Sequence, residues 1–109
     1  MAGINTDKLL KRFVPMSETM FYILSSLTAE RHGYGVMLHV RELTGGRVAL
    51  GAGTIYQTLS KLERDRLIKP TEEIDRKKKY LITDAGRVVL AREAERILEL
   101  SIVAKEFLL

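Results

Sequence analysis

Hydrophobic residues recur at helical spacing through most of this chain and at strand spacing in one stretch only. Leu9, Leu10 and Phe13 share one side of residues Thr6 to Phe13, opposite Lys8, Lys11 and Arg12, which predicts a short amphipathic helix broken by Pro15. Ser17 followed by Glu18 predicts a second helix start, because a serine hydroxyl accepts an orphan backbone N–H and an acid suits the first turn. Its inward stripe is Met20, Ile23, Leu24 and Leu27. The two close glycines of His32-Gly33-Tyr34-Gly35 predict a tight turn. Val36, Met37, Val40 and Leu43 follow as another helical stripe, ended by Gly45-Gly46. Leu50-Gly51-Ala52-Gly53 reads as a second turn, after which Gly53 or Thr54 opens the next helix.

That next helix has the sharpest pattern. With Ile55 at the origin and about 100° per residue, Leu59 falls near 40° and Leu62 near −20°. Gln57, Lys61 and Arg64 fall on the opposite face and Tyr56 at the boundary. A core stripe thus backs a face of long hydrogen-bonding and cationic side chains. The period then changes. Ile68 to Ile74 and Lys78 to Thr83 read as two strands joined around Asp75-Arg76-Lys77, with Pro70 restricting the first to an edge or a strand start. Four consecutive cations, Arg76 to Lys79, crowd the hairpin tip. From Thr83, an N-cap followed by Asp84, one long helix is expected to run to the end of the chain. Beyond Ile97 it is apolar on nearly every side, with Glu99 and Glu106 as its polar stripe. Such a helix needs covering all round, which one small domain cannot supply. The economical partner is a second copy, giving a two-fold homodimer through Ile97, Leu98, Leu100, Ile102, Val103, Phe107 and Leu108, joined by Leu9, Leu10 and Phe13.

Composition narrows the function. The chain has 109 residues, 46% hydrophobic and 29% charged, suited to one domain with a real core. The longest apolar run, Met20 to Leu24, is far short of the roughly 20 residues that cross a bilayer, and the basic, polar start does not read as a secretory signal. A cytoplasmic protein without membrane contact is expected. Cysteine is absent, which excludes disulfides, thiolate nucleophiles and Cys-based zinc sites. His32 and His39 lack carboxylates at ligand spacing and read as structural, so neither metal nor cofactor is expected. There is no nucleophile elbow, phosphate-binding glycine loop or paired-carboxylate motif, and the chain does not read as an enzyme. The net charge is +4, concentrated at the start and in residues 60–80, while the tail is slightly acidic. That asymmetry points to a polyanionic partner.

The order helix, helix, turn, helix, hairpin, long helix is a winged helix-turn-helix: mainly α with a small β-hairpin, in the α+β class. Specific blocks add to this. His32-Gly33-Tyr34-Gly35, then Gly51-Ala52-Gly53-Thr54-Ile55-Tyr56 with Leu59, Leu62 and Glu63, then Leu67-Ile68, then Lys79-Tyr80-Leu81-Ile82-Thr83 and Gly86-Arg87 together resemble the PadR family of bacterial and archaeal transcriptional regulators. The resemblance covers most of residues 9–90. The single final helix is similar to the short subfamily, with residues 1–82 as a DNA-binding domain and 83–109 as a C-terminal dimerisation helix. Two positions depart from the family pattern: Ala52 stands where proline is usual, and Arg66 where a left-handed glycine is usual. Arg66 therefore either carries strain, ends the helix differently, or adds a phosphate contact.

The resemblance implies a regulator, a repressor by expectation, that binds double-stranded DNA at a pseudo-palindromic operator as a homodimer. Thr54, Gln57 and Lys61 would then face the major groove, where glutamine pairs with adenine and lysine with guanine, and Arg64 would be a further DNA contact. Tyr56 has two readings, a phosphate contact or packing on the preceding helix. Arg76, Lys77 and Lys78 would meet phosphate or the minor groove. The resemblance also implies a small lipophilic effector near the dimer interface, for which Phe13, Met16, Tyr22 and Phe107 are the candidate lining. The competing reading is a winged helix module for protein contacts, its basic face solvated or set against an acidic partner.

Overall fold

The computed structural model describes residues 5–108. Its elements are α1 (Thr6–Phe13), α2 (Glu18–Ser26), β1 (Arg31–His32), α3 (Gly33–Leu43), α4 (Ala52–Arg64), β2 (Ile68–Ile74), β3 (Lys77–Ile82) and α5 (Asp84–Ala104), followed by a 3-10 turn, Lys105–Phe107. The strands form one antiparallel sheet in the order β1-β3-β2. This is the winged helix-turn-helix with a long C-terminal helix. Among the described residues no helix is long and apolar enough to cross a membrane.

Local chemistry accounts for most boundaries. The side chains of Asn5, Ser17 and Thr83 accept from the backbone N–H groups of Lys8, Met20 and Gly86, each at 3.1 Å, capping α1, α2 and α5. Helix α3 ends in a hydrogen-bonded reversal: Gly45 takes φ 59°, Gly46 N–H donates to the Arg41 carbonyl at 2.8 Å and Gly45 N–H to that of Glu42 at 3.2 Å. Pro70 lies on the edge strand β2, beside a register irregularity between Pro70 and Glu72.

Four expectations are corrected. His32-Gly33-Tyr34-Gly35 is not a turn: Arg31 and His32 pair with Tyr80 and Lys79 as a third strand, and Gly33 opens α3. A two-residue strand is too short to show a period of two, so only its partner across space reveals it. Helix α4 starts at Ala52, with Gly51 as its N-cap, rather than at Gly53 or Thr54. Leu43, expected on the buried stripe, is the last residue of α3 and is 53% exposed. The C-terminal helix stops at Ala104 and tightens into a 3-10 turn before Leu108.

The core is continuous through all five helices and the sheet. Phe13, Ile23, Leu24, Leu27, Val36, Val40, Ile55, Leu59, Leu62, Leu67, Ile68, Ile82 and Val89 are buried. Phe13 was expected at a dimer interface and against an effector; it is instead enclosed by its own chain, 3% exposed. A phenyl ring on a short helix lowers its free energy against any apolar surface, and the chain's own core is the surface within reach.

The end of α4 and the start of α5 are joined atom to atom. Asp65 caps α4, Arg66 takes φ 62°, Arg66 N–H donates to Glu63 and Leu67 N–H to Leu62. The helix therefore ends as the family's glycine pattern would end it, with an arginine held in the left-handed region. The Thr83 hydroxyl donates to the Arg66 carbonyl at 2.7 Å and accepts from Gly86 N–H, while Thr83 N–H donates to the Leu67 carbonyl at 3.0 Å. A Cβ on Gly86 would stand 2.2 Å from that same Leu67 carbonyl oxygen, so only glycine fits there.

Further along α5, the Glu93 carboxylate is 1% exposed. It accepts from Arg96 Nε and Nη2, each at 2.7 Å, and from Met16 N–H at 3.2 Å. This clamp docks α5 on the α1–α2 connection. The Arg96 bonds, helped by Met16 N–H and opposed by burial, hold the Glu93 carboxyl below its ordinary value of 4.5.

Two outcomes follow from these joints. Replacing Arg66 by glycine relieves left-handed strain of roughly 1–2 kcal/mol, partly offset by the entropy of a more flexible unfolded chain. Arg66→Gly should thus raise the urea midpoint by an amount worth about 1 kcal/mol at unchanged slope. Glu93→Gln removes the charge from a buried, hydrogen-bonded carboxylate and should cost about 2 kcal/mol at neutral pH. Because the folded carboxyl titrates below the unfolded one, this stabilisation is present above the ordinary value and fades as pH falls through the folded one. Thermal denaturation of both proteins should show their difference closing in acid; a pH-independent difference would refute the ionic account.

Candidate nucleic-acid interface

Helix α4 turns Ile55, Leu59 and Leu62 fully inward and leaves Thr54, Tyr56, Gln57, Lys61 and Arg64 exposed. The expected face is thus the real one, with two refinements. The Lys61 ammonium lies 5.8 Å from the centroid of the Phe13 ring, which also carries the Arg12 guanidinium at 5.4 Å. Lys61 therefore leans toward α1, away from Thr54 and Gln57 nearer the helix start. Tyr56 packs on the start of α3: a Cβ on Gly33 would stand 2.8 Å from its ring carbon Cε1. The packing reading is what the structure displays, yet the ring remains 53% exposed and its edge is available. Gly33 and Tyr56 thus bring the His-Gly-Tyr and Gly-Thr-Ile-Tyr blocks into contact.

The wing is a tight two-residue hairpin. Asp75 and Arg76 both take positive φ, 52° and 67°, between β2 and β3, the geometry whose twist matches a right-handed ribbon. Its four cations are not equivalent. Lys79 pairs with Glu72 opposite it, at 3.3 Å, and Lys78 reaches Glu63 of α4 at 4.0 Å. Such half-exposed pairs add little stability but orient the chains that form them. Among the described residues Arg76 and Lys77 have no ion-pair partner and stand free at the tip. Sequence spacing alone did not separate these pairs, because the acids lie on the neighbouring strand and on α4.

Between the wing and the starts of α3 and α4 lies an open cleft of about 720 Å³, bounded by Tyr34, Tyr56, Tyr80, Arg76, Lys77 and Lys78. Tyr80 forms its buried floor; burial first, and the nearby Glu63 carboxylate second, push its phenol above the ordinary value of 10.0. Tyr34, 59% exposed, and His32 at its side were not singled out as contacts, since their neighbourhood with the wing depends on β1 pairing with β3.

The remaining candidates divide. Leu98, Leu100, Ile102, Val103, Phe107 and Leu108 are exposed, Ile97 is half-buried, and Leu9 and Leu10 lean on the chain's own core. Met16 stands half-buried beside Glu93 and Ile97, with Tyr22, around a small hollow. Neither Phe13, which is in the core, nor Phe107, which is exposed, lines that hollow. His39 serves the interior: its Nδ1 donates to Ser26 Oγ at 2.8 Å, since the Ser26 proton goes to the Tyr22 carbonyl. Burial and the neighbouring Arg31 lower its pKa, which favours the neutral ring.

The Transcriptional regulator PadR-like family model matches residues 21–92, from α2 into α5. This chain belongs to the PadR-like family. The transcriptional regulator YqjI of Escherichia coli is 32% identical over 88 residues, which are 80% of this chain and 42% of that protein. The chain spans less than half the length of the curated relatives it matches. Among solved structures, a transcriptional regulator from Clostridium thermocellum superposes with a TM-score of 0.73 at 21% identity, covering 97% of this chain and 99% of that one. A PadR-like transcriptional regulator from Bacillus cereus gives 0.70 at 22% identity, covering 92% and 95%. At such identities these two establish a common fold. The Gly33–Tyr56 contact lies within the matched PadR-like residues.

Gly33→Ala is the direct test of that contact. The added methyl must displace the outer edge of the Tyr56 ring, a half-exposed side-chain end that can swing aside, so stability should fall by no more than about 1 kcal/mol, the low end for overpacking. Loss of protection at the α3–α4 packing in hydrogen exchange should accompany it, whereas an unchanged exchange pattern would mean the two helices do not depend on this contact.

Proposed function

We propose that this PadR-like chain is a sequence-reading DNA-binding regulator, acting as a homodimer on a pseudo-palindromic operator and, by occupying promoter DNA, as a repressor. The observation that supports this most is the shared exposure of Thr54, Gln57 and Arg64 on α4 with Arg76 and Lys77 on the wing, the last two bounding an open cleft with Tyr56 of α4. Residues 1–82 serve as the DNA-binding part and 83–109 as the dimerisation helix. In this reading α4 enters the major groove, about 12 Å wide, and the wing follows the adjacent backbone. Gln57 and Thr54 face base edges near the helix start. Arg64 and the leaning Lys61 serve the flanking phosphates, and Lys78 holds the wing against α4 through Glu63.

The exposed apolar end of α5, Leu98 to Leu108, favours a second copy as its cover, because contiguous apolar patches of this kind mark association surfaces. The dimer sets the two recognition helices about 34 Å apart, on successive major grooves of one face. A lipophilic effector near Met16 and Phe107 remains part of this reading only in the dimer, where the partner's helix supplies the rest of the lining.

Fluorescence anisotropy against a labelled fragment of the upstream region, beside a shuffled fragment, tests the proposal. Tighter binding to the native fragment, weakening steeply with salt, is expected. Arg76→Ala and Lys77→Ala should each lower the slope of log affinity against log salt by about one while weakening both fragments alike. Gln57→Ala should narrow the native–shuffled gap by about 1–3 kcal/mol. Equal, weak binding to both fragments would assign the fold to protein contact instead.

A further inference from the structure

A second cationic cavity lies at the other end of the recognition helix. It occupies about 880 Å³ between α1, the end of α4, the base of the hairpin and the start of α5. Lys8, Arg12, Arg66, Lys69 and Arg87 line it, against the carboxylates of Asp65 and Asp84. In a chain of net charge +4, that is a concentration of positive charge comparable to the wing. Leu9, Leu81 and Ala85 supply apolar wall. The place is not an extension of the wing cleft. Asp65 is nine residues along α4 from Tyr56, about 14 Å, and Lys69 and Leu81 lie at the hairpin base rather than its tip.

One group in it is unexplained by the fold. The Asp65 side chain is 9% exposed; its Oδ1 accepts from Arg12 at 2.8 Å, and its Oδ2 is buried without a hydrogen-bond partner. A buried carboxylate oxygen left unpaired is costly, so this one favours any ligand that brings an N–H or O–H donor. Arg12 holds Oδ1 and lies over Phe13 with its side chain 56% exposed, so a ligand that reaches Asp65 competes with that contact from the solvent side.

We propose that this cavity binds a nucleoside phosphate: the amino or ring N–H edge of the base pairs with Asp65, the base lies against Leu9 and Leu81, and the phosphates meet Lys69, Arg87 and Lys8. The size suits such a ligand, since pockets for small organic molecules are about 300–1,000 Å³. The requirement for both a donor and several negative charges excludes a plain hydrocarbon and a bare anion alike. The site adjoins the Arg66–Thr83–Gly86 joint, so occupancy bears on the angle between α4 and α5. This inference stands independently of the DNA-binding reading, because ligand binding is measured without DNA.

Titration calorimetry of the full chain with ADP, adenosine and inorganic phosphate in separate arms tests it. ADP should bind at least about ten-fold tighter than either fragment alone, a difference of about 1.4 kcal/mol. Lys69→Ala and Arg87→Ala change solvent-facing side chains and leave the fold intact; each should reduce ADP affinity several-fold without altering adenosine binding. Asp65→Asn should reduce ADP and adenosine binding together, and if that variant does not fold, the two surface variants decide alone. ADP no tighter than phosphate, or equal in wild type and both surface variants, overturns the proposal. So does absence of ADP binding coupled with weaker DNA binding by Arg87→Ala, which would hand the cavity to the DNA backbone.

Discussion

The recognition helix, the hairpin and the long C-terminal helix are positioned by the meeting of two helix ends. The last carbonyls of α4 and the first N–H groups of α5 are both groups a helix cannot satisfy internally. The turn after α4 answers the first, Asp65, Arg66 and Leu67 N–H donating to Lys61, Glu63 and Leu62, and Thr83 answers the second, accepting from Gly86 while its hydroxyl donates to the Arg66 carbonyl just past α4. The absent Cβ of Gly86 lets the Leu67 carbonyl approach closer than any side chain would allow. The recognition helix, the hairpin that follows it and the long C-terminal helix therefore meet at one hydrogen-bonded joint. Arg66 in the left-handed region is the strain that this closure holds in place.

A second constraint secures α5 further along its length. Glu93 is a charge in the core, tolerated because three donors surround it. Its bond to Met16 N–H connects α5 to the segment that leads from α1 into α2, and Val89 one turn earlier is fully buried. The first half of α5 is thus part of the winged helix core, while the half beyond Ile97 projects apolar side chains that are exposed among the described residues. The same helix carries two roles because its polar partners end where its own core ends.

The two cationic regions differ in kind. At the wing, positive charge is exposed, partly neutralised by Glu63 and Glu72, and left free at Arg76 and Lys77. That arrangement suits a long, regular polyanion, which rewards charge displayed on a protruding edge. At the base of the hairpin, charge surrounds a concavity with apolar wall and a buried acceptor, a combination that suits a compact ligand with a polar edge.

Helices and caps were legible from the chain alone, because a stripe every three or four residues and a serine or threonine before it are local features. Ile55, Leu59 and Leu62 against Gln57 and Arg64, the Ser17 and Thr83 caps, and Pro70 on the edge are of this type. So was the family, whose signature is carried by short blocks. Tertiary structure decided what depends on partners distant in sequence: β1 through its pairing with β3, the burial of Phe13, the leaning of Lys61, and the division of the wing lysines by acids on other elements. Glycine shows the boundary most clearly. Gly33 looks like a turn residue in the chain and Gly86 like one more position of a helix, yet each faces atoms brought close only by the fold, the Tyr56 ring and the Leu67 carbonyl with the Ile82 side chain. Periodicity is a property of one segment, whereas van der Waals exclusion between segments exists only once they are packed together.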